Sequence, residues 1–375
     1  RRRRRRKRPR MCAAAAPLLL ALPVLGSTSA AQLAIFANDA AVDAVRGKRD
    51  GDFGVPRGRP GNNHPERRRN KLIAALDEVT GVPGAGDLSL AKRVHSTGFV
   101  HFYETAFTRW QSELFADASY LLPGTTDNAP ALIPFHCVKS STPRSACLAA
   151  DFACYMTDFE TPLFECTCST LREDLGVVEA SVERLVSSDG VAYALTTHPG
   201  HHAGPEYSSG FCYVNNACVA CSLFQAAGLE AALVDLDFHG GNGSLDCAES
   251  MGLWFKSLNC AGAYPWVDMA HRGVEIAPGT SWASGYAAAL RSALASIPPS
   301  TSVLVVSLGY DTLSSDPEAG KRAGVGIGLE PADFYAMGEM IAGACPKVLI
   351  VQEGGYDLDG VGKAAKALVA GLVGR

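Results

Sequence analysis

A chain of 375 residues with 47% apolar content buries a core large enough to need no disulfide staples, and most of its twelve scattered cysteines fit buried thiols in a reducing compartment. The net charge is −4, but the first ten residues, RRRRRRKRPR, carry nine positive charges and leave −13 for the rest. Such an acidic body argues against direct nucleic-acid binding by the folded domain and suits a cationic substrate.

The basic run is followed by Met11 and CAAAAPLLLALPVLGSTSAAQ, a basic, apolar and small-residue order that matches a cleavable targeting peptide. Its apolar part, Ala13 to Leu25, is shorter than the roughly 18 residues of a membrane span, so no transmembrane span is expected. We read residues 1–31 as this leader and 32–375 as one domain. The expected location is intracellular, either organellar through the leader or cytoplasmic. LAIFAND then reads as a first strand. The Gly-, Pro- and charge-rich stretch RGKRDGDFGVPRGRPGNNHPERRRN reads as loop, and ERRRNKLIAALDEV from Glu66 as a helix. Cys218 and Cys221 have CxxC spacing, but their apolar surroundings and the lack of a second CxxC point to a buried helix.

Beyond residue 190, short apolar runs alternate with helical patterns. VAYALTT precedes three histidines, and AALVDLDFH follows the helical NNACVACSLFQAAG. TSVLVVSLGYD follows SWASGYAAALRSALASI, and KVLIVQEGGYD follows PADFYAMGEMIAGA. Strands separated by helices of this length predict an α/β domain of three layers, α/β/α, with a mostly parallel central sheet. In such sheets the ligand site lies beyond the carboxyl ends of the strands. All four runs end in reactive side chains: His198, His201 and His202; Asp235, Asp237 and His239; Asp311; Glu353 and Tyr356.

Asp235, Asp237 and His239 have period two, so a persisting strand puts them on one face and Leu236 and Phe238 on the other. Carboxylates buried this closely repel each other unless a cation lies beside them. Asp and His at i and i+2 suit a divalent metal of borderline softness, with zinc the leading choice and Asp311 a third ligand. Three protein ligands leave a position open, which is the mark of a catalytic site. We read His198 as structural, and expect Gly200 to let its loop pack close to the metal.

The motifs HPGHHAG, GFCYVNN, DLDFHGGNGS, SLGYDTLSSDP and EGGYDL occur together in this order. With weaker matches in NNHPERRRNKL, RVHSTGFV and YMTDFETPLFECT, the chain resembles the zinc-dependent deacetylases, which include histone deacetylases and acetylpolyamine amidohydrolases. The resemblance spans roughly Leu33 to the end. It implies the arginase/deacetylase-like fold and an amidohydrolase that removes acetyl groups from N-acetylated amines by zinc-activated water. Acetyl-lysine in proteins and acetylated polyamines both remain open as substrates; YMTDFETPLFECT and SLGYDT look more like the polyamine branch.

By the same resemblance, Asp237, His239 and Asp311 are the ligands of one zinc ion per chain, His201 and His202 the tandem histidines, and Tyr356 the catalytic tyrosine. Gly210 and Phe211 form part of the acyl channel wall, and Asp235 and Asn242 support the two histidines. A potassium ion would be held by Asp235, Asp237, His239, Ser257 and Leu258. Two stretches depart from the family pattern: Thr197-His198-Pro199 stands where Arg-Pro-Pro is common, and Gly240 where a second histidine follows the ligand. The intact ligand set and Tyr356 weigh against the alternative, a catalytically weak acyl-lysine-binding module on the same fold. A two-metal hydrolase of the arginase type would want a denser Asp/His set than Gly240 and Gly241 leave.

Overall fold

The computed structural model describes residues 32–47, 65–113, 148–158, 160–267, 269, 272–317 and 326–374. The leader expected over residues 1–31 and most of the Gly/Pro-rich stretch lie outside them. Eight strands form one sheet: β1 (Leu33–Asn38), β2 (Val79–Val82), β3 (Gly190–Ala194), β4 (Ala231–Asp235), β5 (Trp254–Cys260), β6 (Gly273–Ile276), β7 (Val303–Leu308) and β8 (Lys347–Gln352). Their order is β2-β1-β3-β8-β7-β4-β5-β6, and every neighbouring pair is parallel. A parallel neighbour demands a crossover, and among the described residues helices supply it for every pair except β5–β6. They are α1 (Asp39–Gly47), α2 (Pro65–Ala75), α3 (Thr97–Glu113), α4 (Leu148–Tyr155), α5 (Thr167–Ser187), α6 (Asn216–Ala226), α7 (Asn242–Met251), α8 (Ala287–Ala295), α9 (Asp333–Ala342) and α10 (Gly360–Leu372).

The central strands explain the apolar runs. Every residue of β4 and β7 is buried. Leu304, Val306, Val348 and Ile350 face a core closed by Phe334 and Met337 of α9 and Val361 and Leu368 of α10. Val303, Val305, Leu349 and Val351 face the opposite core, with Val178 of α5 and Cys218, Cys221 and Phe224 of α6. Strands covered on both faces carry continuous rather than alternating apolar sequence. Cys218 and Cys221 are buried free thiols, as their apolar setting suggested. A third cluster joins Phe99, Phe102 and Tyr103 of α3 to Phe152 and Tyr155 of α4 and to Tyr213. Among the described residues no helix is long and apolar enough to cross a membrane.

Several boundaries differ from the sequence reading. The helix from Glu66 stops at Ala75, because Glu78 turns at φ 56° and the chain enters β2 at Val79. The strand before the second acidic cluster ends at Asp235, not His239. The alternation survives that end, since Leu236 and Phe238 still point into the core. The sheet order places β8 and β7 between β3 and β4, so the carboxyl ends of all four strands converge.

Candidate active site

The four strand ends build one buried cluster. Asp235, Asp237, Asp311 and Glu353 are each fully buried. His239 Nδ1 lies 3.1 Å from Asp237 Oδ1 and 2.9 Å from Asp311 Oδ2. The ligand atoms of Asp237, His239 and Asp311 all fall within 4.8 Å of one another. Backbone N–H groups support the carboxylates: Gly354 donates to Asp237 Oδ2 (2.9 Å) and Phe238 to Asp311 Oδ1 (3.0 Å). Burial and then the Asp237 charge push Asp311 up to about 7. Burial would lower the His239 pKa, but hydrogen bonds to Asp237 and Asp311 overcome it and raise it to about 10. Asp237, His239 and Asp311 thus form a buried group that could hold a metal ion, with His239 on the cavity side.

Glycine makes that crowding possible. A Cβ on Gly309 would lie 2.2 Å from Asp237 Oδ2 and 2.5 Å from Asp311 Oδ1. At Gly200 a Cβ would stand 2.7 and 2.8 Å from the backbone of Val214 and Asn216, so the missing side chain lets the histidine loop pack against that segment. At Gly240, the departure from the family pattern, a Cβ would meet Met269 Cγ at 3.0 Å, so Met269 occupies that side of the site.

The tandem histidines follow β3, and their loop is fastened from β8. Glu353 Oε2 accepts the N–H groups of Gly200 (2.6 Å) and His201 (3.2 Å), while Oε1 accepts the Ser307 hydroxyl (2.9 Å). Glu353, Cys212 and His201 also lie within ligand distance of one another. The carboxylate is already committed to those three donors, and burial holds the Cys212 thiol well above its ordinary pKa, so we assign no metal there.

His201 Nδ1 is 3.0 Å from Asp235 Oδ2, and His202 Nδ1 is 2.7 Å from Asn242 Oδ1. The partners separate the two rings electrostatically. Burial works against the His201 charge, yet the Asp237, Asp235 and Glu353 carboxylates raise its pKa well above the ordinary value. Burial and then the charges of His201 and His239 hold His202 well below it. His198 is elsewhere: its Nδ1 pairs with Asp174 Oδ2 at 3.1 Å and its ring meets Tyr213 edge-on.

A cavity of 420 Å³ opens onto this cluster, lined among others by His201, His202, His239, Gly210, Phe211 and Tyr356. Gly210 and Phe211 both adopt left-handed backbone, at φ 54° and 67°. That conformation is unfavourable for Phe211 and is held by its N–H bond to Thr161 Oγ1 at 3.0 Å. Tyr356 faces Phe211 with ring centroids 6.0 Å apart. Burial holds its phenol well above the ordinary pKa.

Three neighbours went unassigned in the sequence. The Arg68 guanidinium sits 5.9 Å from the Tyr356 ring centroid and donates to the Thr197 carbonyl. Tyr264 meets the His202 ring edge-on at 4.9 Å. Glu353 was visible as a strand-end acid without a role. The PERRRN charge run was the only hint of Arg68, and it reads equally as solvated helix.

Comparison with known proteins agrees with this architecture. The histone deacetylase domain family matches residues 66–372. Acetylpolyamine amidohydrolase 2 of Pseudomonas aeruginosa is 29% identical over 80% of this chain and 89% of its own. The acetylpolyamine amidohydrolase of Mycoplana ramosa is 27% identical over 80% and 88%. Histone deacetylase 15 of Arabidopsis thaliana is 30% identical over 48% of this chain and 35% of its own. The crystal structure of acetylpolyamine aminohydrolase from Burkholderia pseudomallei superposes with a TM-score of 0.71 at 23% identity, covering 90% of this chain and 98% of that one, which establishes the shared α/β fold. With the family match spanning all four strand ends that build the site, the chain belongs to the histone deacetylase and acetylpolyamine amidohydrolase family.

Proposed function

We propose that this protein is a zinc-dependent hydrolase that removes the acetyl group from N-acetylated amines, with acetylated polyamines preferred over acetyl-lysine in proteins. The observation that carries the reading is the convergence of Asp237, His239 and Asp311 on one point beside the tandem histidines, in a cavity that Tyr356 also lines. When held by those three residues, zinc supplies Lewis-acid polarisation of the acetyl carbonyl and activation of water.

The protein's own groups do the rest. His202, kept neutral and bound through Nδ1, takes the proton of the attacking water at Nε2 and returns one to the leaving amine. General acid–base help of this kind contributes about 10²–10⁴-fold. His201, held as an imidazolium by Asp235 and Asp237, steadies negative charge next to it. The Tyr356 hydroxyl donates to the carbonyl oxygen as charge develops there, and Phe211 and Tyr264 confine the acyl arm and exclude water.

The polyamine preference rests on the cavity and the relatives. Glu160 lines the cavity, and no lysine or arginine does so among the described residues. The two acetylpolyamine amidohydrolases match most of the chain, whereas the plant histone deacetylase matches about half. The proposal extends to a potassium ion held by Asp235, Asp237, His239, Ser257 and Leu258. In support, β4 and β5 pair Asp235 with Ser257, and the nearby Tyr286 hydroxyl is buried without a hydrogen-bond partner among the described residues. The test is acetate release from N-acetylspermidine and from an acetyl-lysine peptide, side by side. Faster turnover of N-acetylspermidine is expected. Release from the peptide alone would reverse the preference, and release from neither would favour an acyl-lysine-binding module.

A further inference from the structure

Asn242 belongs to a chain of hydrogen bonds that runs from His202 to the protein surface. Asn242 and Asp246 lie one turn apart on α7, so both reach one point on its face. Tyr207, on the loop between the tandem histidines and Phe211, brings its hydroxyl to that point. The hydroxyl is 2.6 Å from Asp246 Oδ2 and 3.1 Å from Asn242 Nδ2.

The polarity of every link follows from the outermost group. A carboxylate only accepts, so the single phenol proton goes to Asp246. The phenol oxygen then accepts from the Asn242 NH₂ group. That turns the amide carbonyl inward, where Oδ1 meets His202 Nδ1 at 2.7 Å. A carbonyl only accepts, so Nδ1 carries the hydrogen, and in the neutral ring Nε2 keeps its lone pair. Burial and the Asp246 hydrogen bond both favour the protonated phenol, which keeps the direction of the chain constant.

We infer that Tyr207 and Asp246 are positioning residues that lock the amide of Asn242 and thereby the Nδ1–H tautomer of His202. The inference rests on the reading of His202 as general base. Without the Tyr207 hydroxyl the amide is free to turn over and present NH₂ to Nδ1. The ring hydrogen then moves to Nε2, which no longer accepts a proton from water. An exposed carboxylate thus sets the orientation of a buried base, through groups that never meet the substrate.

The test has two arms. In zinc-loaded protein carrying ¹⁵N-histidine, with the His202 signals assigned from a His202→Asn variant, the wild type should show hydrogen on Nδ1, and Tyr207→Phe a mixture of tautomers. In kinetics, Tyr207→Phe should lower kcat by about tenfold with KM within about twofold. Added to Asn242→Ala, it should lower kcat no further, because both changes break the same chain. Hydrogen on Nε2 in the wild type, an unchanged tautomer in Tyr207→Phe, or additive losses in the double variant would overturn the inference. Failure of wild-type protein to hydrolyse any acetylated amine would instead sink the proposed function, and the NMR arm would still decide the polarity of the chain.

Discussion

His95 links the active-site loop to the core, and its burial predicts a specific acid sensitivity. The ring is buried and stacks on Phe99 at 4.9 Å. Nδ1 donates to the Gly204 carbonyl at 2.8 Å, and Nε2 accepts the Asn215 N–H at 3.0 Å. Protonating Nε2 would set two N–H groups against each other at a site closed to water. Burial accordingly lowers the pKa from 6.5 to about 4, with the Gly204 bond recovering only part of the loss.

In the unfolded chain His95 takes its proton as pH falls through 6.5, while the folded protein resists until about 4. The stability tied to this group is therefore complete above pH 6.5 and is lost as pH falls towards 4. At 1.36 kcal/mol per unit over about 2.5 units, the loss is about 3 kcal/mol. The perturbation is His95→Gln, which is neutral throughout. Urea denaturation at pH 7, 6, 5 and 4 should show the variant less stable at pH 7. Wild type should then lose about 3 kcal/mol more than the variant by pH 4. Parallel stability curves would refute the reasoning, because they would mean that His95 titrates alike in both states.

Two further predictions concern the site. Tyr356→Phe should lower kcat by about 100-fold, as removal of one oxyanion donor does, with zinc content by metal analysis unchanged. Gly309→Ala drives a Cβ into Asp237 and Asp311. It should sharply reduce zinc content and cost about 1–3 kcal/mol in denaturation, whereas Gly343→Ala, whose nearest neighbour stands at 3.4 Å, should leave zinc content unchanged.

The parts legible in the sequence are those with a local signature. β4, β7 and β8 are wrapped on both faces, and their continuous apolar runs announce it. The reactive residues stand out because each follows such a run directly. β5 escaped notice as a strand because Lys256 and Asn259 interrupt its pattern, and β2 and β6 because four residues carry too little signal. α5, 21 residues long, was also passed over, although its buried face supports the loop of His198 through Asp174. Arg68 beside Tyr356, Glu353 beneath Gly200, and the Tyr207–Asp246 link depend on proximity between distant segments. The close neighbours of Gly200, Val214 and Asn216, are likewise set by tertiary packing.

The most direct test of the account is a zinc titration of metal-free protein, followed by acetate release from N-acetylspermidine. The account predicts activity that rises linearly to one zinc per chain and then levels off, and that is absent at every zinc level in Asp237→Asn. Full activity in metal-free protein, or equal activity in Asp237→Asn, would contradict it.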